Sequence, residues 1–350
     1  MDRLDSEFTK SLQNIEPNCS EYFDRLEDEV GLYSLIIRSN EYFTNLEMTD
    51  AICHMSMKRL QHIYFQVNMN SCAMKPLHHH NHLTVDFSSH LPLQTDAAIC
   101  SLENNMNPSQ DGDSSDMINK LCAFLYRNGS ASVRAQAILC QAHHHALHDR
   151  FAVAKDLLLL SPVQVTVHHA DVGTKILYNR TMAQLGLCAF RQGKIADVQA
   201  CLKDISGVGS ARELLGQESY IPFHMHLNLE LLECTYLTCA MLSEISLSIA
   251  SSEQTGVKVS KRVTLSPFQR ALQYHTRRIF SGPPETARDH ILSASNALAE
   301  GDWQQCSELI TKAWSRLPPG PENTRTMLRN KIQEEGLRIF LFSNKSLYIH

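Results

Sequence analysis

The feature that most constrains this chain is the recurrence of apolar residues at steps of three and four over helix-length runs. In the first clear run, Tyr22, Leu26 and Tyr33 would share one helix face, with Ser20 as the expected N-cap. Runs of strand length in which apolar and polar residues alternate are scarce. The pattern predicts an all-α protein, with further amphipathic helices at 132–148, 150–160, 175–192, 194–205, 222–246, 286–300, 302–314 and 323–342.

Three stretches align as pairs of helices joined by a turn, in 137–161, in 185–206 and in the segment ending at 301–310. In each, a small residue comes seven positions before a turn residue, and an apolar residue follows two positions after it. The turn residues are Asp149, Gly193 and Gly301. Small residues let helices cross closely, so the pattern indicates an irregular, tetratricopeptide-like solenoid of helical hairpins. The candidate packing anchors are Phe151, Gly186, Ile195 and Trp303.

The offsets between these repeats are 44 and 108 residues. Neither is a multiple of the regular repeat of about 34 residues. A generic helical bundle with chance matches therefore stays open as an alternative. In either case, each hairpin would bury one face against the next and leave an extended surface for partners.

Composition divides the chain into segments. The stretch at 66–116 is rich in Asn, Ser, His and Pro, and its apolar residues show no regular period. A segment of this composition buries too little apolar surface to fold alone. The expected organisation is an acidic helical segment at 1–65, a flexible low-complexity insertion at 66–116, a helical-repeat body at 117–250, a basic connecting segment at 251–281 and a C-terminal helical repeat at 282–350.

Charge is unevenly distributed along the chain. Residues 1–50 carry twelve acids against four bases, and residues 253–278 carry six bases against one acid. Aromatic residues lie among the bases, which favours sequence-independent contact with RNA or with an acidic partner, although a solvated surface explains the same run. The candidate contacts are Lys258, Lys261, Arg262, Arg270, Arg277 and Arg278.

Several classes of protein find no support in the sequence. No apolar run approaches the length of about 20 residues that a membrane span needs, and the N-terminus lacks a signal-peptide pattern. The eleven cysteines include no Cys-x-x-Cys pair, as expected in a reducing compartment. No nucleophile elbow, phosphate loop or dinucleotide fingerprint is present. We therefore expect a cytoplasmic protein that is no enzyme and uses no cofactor.

One cluster of metal-binding residue types keeps a further alternative open. Cys140, His144 and His148 are spaced by four residues, so they would share one face of a helix. The Glu of a His-Glu-x-x-His motif is missing, and a second ligand cluster at a familiar spacing is missing too. The sequence predicts packed or surface histidines and no metal site, with a metal-dependent enzyme as the alternative.

Four strings of residues resemble one known family together. They are YNRTMAQLGLCAFRQGK at 178–194, SARELLGQ at 210–217, PFHMHLNLELLECTYLTCAML at 222–242 and GPPETARDHILSASNALAEGDW at 282–303. They resemble the c subunit of the eukaryotic translation initiation factor 3 complex, and 325–342 continues the resemblance. The similarity covers about 20–65 and 117–342 in collinear order.

The resemblance implies the helical part of a PCI domain and a scaffold without catalytic residues. It implies assembly of the 43S preinitiation complex on the small ribosomal subunit and recruitment of mRNA. The implied partners are other subunits of the factor, especially the core a and e subunits, the small ribosomal subunit and other initiation factors. The basic residues add an expected sequence-independent contact with rRNA or mRNA. A PCI-type subunit of the proteasome lid or the signalosome is the alternative.

Three departures from the family pattern accompany the resemblance. Family members have a longer, charge-rich N-terminal region and a charged helical stretch after the position of Glu218. This chain also ends at His350, where the winged helix of a PCI domain is expected to begin. We therefore expect a chain truncated before that winged helix.

Overall fold

The computed structural model describes residues 1–17, 19–66, 114–206, 211–254, 266–277, 282–317 and 322–343. All regular elements in these ranges are helices, which confirms the predicted all-α class. The helices are α1 (Asp2–Asn14), α2 (Ser20–Asn45), α3 (Thr49–Ile63), α4 (Ser114–Asn128), α5 (Ala131–Leu147), α6 (Phe151–Leu160), α7 (Val163–Thr166), α8 (Val172–Arg191), α9 (Ile195–Ser206), α10 (Ala211–Leu214), α11 (Leu229–Gln254), α12 (Pro267–Thr276), α13 (Ala287–Ala299), α14 (Trp303–Ser315) and α15 (Glu322–Ser343). Most of the predicted insertion, from 67 to 113, lies outside the described residues.

Two predicted helix starts are wrong. Ser20 is the first residue of α2, and its N-cap Cys19 makes no side-chain capping bond. The helix expected from 222 begins at Leu229, because Pro222 leads into a 3₁₀ turn at Phe223–Met225 and the following residue is extended. The Asn228 side chain then accepts a hydrogen bond from Leu231 N at 3.0 Å, as an N-cap does.

Residues in the left-handed conformation end the first helix of four hairpins. Asp149, Gly193 and Gly301 have φ of 59°, 72° and 91°, at the three aligned turn positions of the repeat. Glu47, with φ of 53°, closes the α2–α3 turn in the same way, although no glycine marks it. In each turn the next N–H bonds to the carbonyl five residues earlier, at 2.9–3.2 Å. This is the Schellman pattern, which satisfies carbonyls left free at a helix end.

The described residues fall into two compact units. Unit 1 comprises Met1–Leu185 and Ser210–Leu227. Within it α1 packs on α2, each helix from α2 to α6 packs on the next, and α3 also contacts α5. The core of this unit includes Tyr33, Leu60, Ile118 and Leu125, all fully buried. The predicted segment borders differ from the borders of the units and stay a prediction.

Unit 2 comprises Gly186–Gly209 and Asn228–His350. Its central helix is α11, which packs against α9, α12, α13 and α15. Apolar residues occur on all sides of α11, as expected for a helix surrounded by others. The α13–α14 hairpin packs on itself, and α14 contacts α15.

Candidate functional site

The predicted packing anchors lie on hairpin helices, with different degrees of burial. Phe151 begins α6 and is 3% exposed, whereas Ile195 and Trp303, which begin α9 and α14, are half-buried. A Cβ atom at Gly186 would lie 2.8 Å from Leu202 Cγ, so glycine permits close approach of α8 to α9. Trp303 makes a similar close contact with Gly336 of α15. The role of these four residues as anchors stays a prediction.

The predicted basic residues are described in part. Arg270 lies in α12 and Arg277 is its C-cap, and both are exposed. Tyr274, 67% exposed, lies between them, so the three residues share one helix face at steps of four and three. Lys258, Lys261, Arg262 and Arg278 lie outside the described residues. A face of this kind can contact phosphate and a stacked base, and the contact itself stays a prediction.

The histidine cluster of α5 is packed in the interior. Cys140 and His144 are buried, and the His144 and His148 rings lie 4.3 Å apart between centroids. Burial and neighbouring histidines hold the pKa of His144 well below its usual range. In the part of the chain that is described, no group of three or more His, Cys, Asp or Glu residues could hold a metal ion. The alternative of a metal-dependent enzyme has no donor set there.

A buried ionic centre, which the sequence does not predict, joins α1, α2 and α3. It consists of Asp5, Glu29, Lys58 and His62. His62 Nδ1 lies 2.7 Å from Glu29 Oε1 and its Nε2 lies 3.2 Å from Asp5 Oδ1, while Lys58 Nζ pairs with the other Asp5 oxygen. The side chains come from residues up to 57 positions apart, so no local pattern reveals them.

The charges of the ionic centre stabilise one another. Burial alone would raise the pKa of Asp5, but hydrogen bonds from His62 and Lys58 lower it to about 2. Burial alone would lower the pKa of His62, but hydrogen bonds to Asp5 and Glu29 raise it to about 9. At neutral pH, Asp5 is therefore ionised and the His62 imidazole is protonated.

Among the described residues, Arg180 of α8 is the largest fully buried side chain, at 2% exposure. Its Nη2 donates a hydrogen bond to Met225 O at 2.6 Å, and its guanidinium lies beside the Tyr64 hydroxyl. The Tyr22 hydroxyl accepts a bond from His224 N at 3.0 Å. Arg180 and Tyr22 thus hold the 3₁₀ turn of unit 1 from two different helices.

Arg180 also forms part of the wall of a cavity of about 380 Å³, named here the unit 1 cavity. Its polar lining includes Tyr64, Gln136 and His62 of the ionic centre. Apolar lining comes from Phe65, Ile176, Leu177 and Met225. Sequence reasoning missed Arg180, because an arginine flanked by Asn179 and Thr181 is typical of a solvated helix face.

The outer surface of α2 carries exposed apolar side chains. Leu35, Tyr42 and Leu46 are 40%, 60% and 50% exposed, and steps of seven and four place them on one face. We name these three residues the α2 face. In unit 2, Leu337, Phe340 and Leu341 of α15 are similarly exposed. Apolar groups of this kind are typical of surfaces that bind partners.

Comparison with known families identifies the chain. Residues 1–255 match the family described as the N-terminus of eukaryotic translation initiation factor 3 subunit 8. The chain belongs to this family. It is also similar to proteins named as the C subunit of eukaryotic translation initiation factor 3. The protein from Schizosaccharomyces pombe is 41% identical over 99% of this chain and 38% of its own length. That from Neurospora crassa is 40% identical over 99% of this chain and 41% of its own length.

The chain thus spans about two fifths of the length of these curated relatives. Another relative of the same name, from Mycosarcoma maydis, is 39% identical over a similar share. Membership of the initiation factor family distinguishes this chain from the proteasome-lid and signalosome proteins considered above. Among the described helices, none combines the length and apolar character needed to cross a membrane.

Proposed function

We propose that the chain is a scaffold of the eukaryotic translation initiation factor 3 complex, in the cytoplasm. It would support assembly of the 43S preinitiation complex on the small ribosomal subunit and recruitment of mRNA. The observation that carries the proposal is the family match over residues 1–255. Hairpins that expose apolar side chains suit such a role, since stacked hairpins present an extended surface to partners. The role requires no catalytic residue and no cofactor.

The proposed partners are the other subunits of the factor, especially the core a and e subunits, together with other initiation factors. Within this proposal, the α2 face binds another subunit of the factor. Its three exposed side chains, Leu35, Tyr42 and Leu46, lie opposite the buried side of α2. Contact with a partner would remove their apolar surface from water, at about 25 cal/mol per Å².

Co-sedimentation tests the scaffold role. A tagged chain of residues 1–350, expressed in eukaryotic cells, is expected to migrate in a sucrose gradient with other subunits of the factor and with small ribosomal subunits. Replacing Leu35, Tyr42 and Leu46 together by serine should release it from them. Serine at Leu159, Leu160 and Val165, an exposed apolar set on α6 and α7, is the matched control. Migration with the proteasome lid or the signalosome instead would contradict the proposal.

The basic residues are proposed to add sequence-independent contact with rRNA or mRNA. Each phosphate contact made by a cation steepens the dependence of affinity on salt, by about 0.7 in the log–log slope for single strands. Replacing Arg270 and Arg277 by alanine should therefore lower both the affinity for single-stranded RNA and the slope. Arg288→Ala is the control, because Arg288 is also exposed but pairs with Glu233 at 2.9 Å. Equal slopes for all three proteins would rule out the contact.

A further inference from the structure

Within the described residues, the buried charge of Arg180 has no ion-pair partner. Its one hydrogen bond to a backbone group goes to a neutral carbonyl, and its Nε and Nη1 find no acceptor within the described residues. A buried cation is costly unless an anion pairs with it. In the described residues, the ion pairs of the acids nearest the cavity go to Lys58 and His62, not to Arg180.

Three groups around Arg180 in the described part of the chain are neutral at neutral pH. Burial raises the pKa of the Tyr64 hydroxyl and raises that of the Cys140 thiol well above its usual range. Burial, and then the charge of Arg180, lower the pKa of His143 to about 3. The remaining acid of the cavity wall, Asp171, accepts hydrogen bonds from the backbone and side chain of Thr174 at the start of α8. The wall near Arg180 therefore favours an anion supplied from outside the chain.

The volume and the lining of the cavity indicate which kind of anion it could bind. Its volume of about 380 Å³ lies at the lower end of the range for small-molecule sites, about 300–1,000 Å³. Phe65, Ile176 and Leu177 give it an apolar wall, while Gln136 and Tyr64 add polar groups. A ligand with one anionic group and a small apolar body would match both parts of the wall.

We propose that the unit 1 cavity binds a small organic anion, with its carboxylate or phosphate beside the Arg180 guanidinium and its apolar part against Phe65, Ile176 and Leu177. Binding of such an anion would not depend on the proposed role in translation. It concerns the isolated chain, so its failure and the failure of complex assembly are separate results.

Titration calorimetry on the purified chain tests the proposal, with benzoate and phenyl phosphate as probes. Chloride is varied to keep the ionic strength constant. We expect saturable binding of at least one probe, and the two arms distinguish a carboxylate from a phosphate ligand. Arg180→Met should weaken that binding by at least about tenfold, because it removes a charged hydrogen-bond donor. Arg180→Lys should keep part of the affinity, and Arg288→Met should keep all of it.

A second measurement locates the probe without relying on a variant that must fold. The photoreactive carboxylate 4-benzoylbenzoate is expected to label the peptides that contain Phe65, Leu177 or Met225, and excess benzoate or phenyl phosphate should prevent the labelling. Absence of saturable binding to the unaltered chain would overturn the proposal. So would unchanged affinity in a folded Arg180→Met variant, or labelling confined to peptides away from the cavity.

Discussion

The two units differ in the interactions that supplement their apolar cores. In unit 1, Asp5, Glu29, Lys58 and His62 connect three helices through buried charges. In unit 2, close helix contacts rest on small residues, such as Gly186 against Leu202 and Gly336 against Trp303. The ion pairs described in unit 2 each include an exposed or half-exposed partner. Unit 1 should therefore respond to charge and pH, and unit 2 to changes in volume.

Tryptophan fluorescence separates the two responses. The chain has two tryptophans, Trp303 and Trp314, and both belong to unit 2. Trp314 stacks on Phe190 with ring centroids 5.1 Å apart. Fluorescence thus reports the unfolding of unit 2, while hydrogen exchange in peptides from α1 to α3 reports the opening of unit 1.

The largest effect is expected for His62→Ala. It removes the cation that pairs with both carboxylates, so the buried Glu29 loses its imidazole partner and Asp5 keeps Lys58. The free energy of opening α1–α3 should fall by about 3–5 kcal/mol. The matched control is His54→Ala on the same helix, whose ring lies 2.7 Å from Asp2. Because that pair is exposed, the control should cost less than about 1 kcal/mol.

Hydrogen exchange in the α1–α3 peptides measures both variants, and the fluorescence midpoint of unit 2 should stay unchanged. Equal protection of these peptides in the two variants would show that the ionic centre contributes no more than a surface pair. The contrast between the units would then lose its main support.

The ionic centre should also make the stability of α1–α3 depend on pH. The raised pKa of His62, about 9 against an ordinary 6.5, means that its contribution is complete below about pH 6.5 and is lost as pH rises through 9. The lowered pKa of Asp5, about 2 against an ordinary 3.8, means that its contribution is complete above about pH 4 and is lost as pH falls through 2. The contribution of the ionic centre should therefore be greatest between these limits. The buried histidines of α5 oppose it there, because their lowered pKa values make their contribution complete only above about pH 6.5.

The unit 2 fluorescence midpoint provides the internal comparison. The buried thiols of unit 2 at Cys234 and Cys306 have pKa values raised to about 12 by burial, so they stay neutral up to pH 9. Between pH 6.5 and 9, unit 1 should lose stability more steeply than unit 2. Parallel losses in the two units would contradict the assignment of this slope to His62.

The local parts of the fold could be predicted from the sequence. A helical apolar period is a reliable signal because it is repeated over many neighbouring residues. The aligned turn residues Asp149, Gly193 and Gly301 all adopt the left-handed conformation. Glu47 was missed, because glutamate rarely adopts this conformation and carries no turn signal. The late start of α11 could have been found from Asn228, a favoured N-cap residue that is followed by an apolar run.

The interior polar groups could not be predicted, since they depend on contacts between distant parts of the chain. His62 meets Asp5 across 57 positions, and Arg180 meets the Met225 carbonyl across 45. In sequence, each is one polar residue within an amphipathic run. The candidate anchors and basic contacts rest on local pattern alone, so they stay predictions for the same reason.

Gly186→Ala tests the role of close helix packing in unit 2. The new Cβ would lie 2.8 Å from Leu202, which is fully buried, so the overpacking should outweigh the better helix propensity of alanine. We expect a net loss of about 2 kcal/mol in the free energy of unfolding of unit 2, measured by fluorescence in urea. Gly31→Ala in α2 is the control, since nothing lies within 4 Å of its Cβ position. It should stabilise unit 1 slightly, and a loss in both variants would remove the packing argument.

The smallest effect is expected for Gly301→Ala, which tests backbone strain separately from packing. Gly301 has φ of 91° and no atom within 4 Å of its Cβ position, so Gly301→Ala adds conformational strain without a clash. We expect a loss of about 1 kcal/mol in the unfolding of unit 2. Gly301→Asn should cost less, because asparagine tolerates the left-handed region better. Glu47→Gly, the reverse change in unit 1, should be neutral or mildly stabilising. If alanine and asparagine at 301 were equally harmful, strain at this φ would not be the cause, and the four turns would no longer share one physical basis.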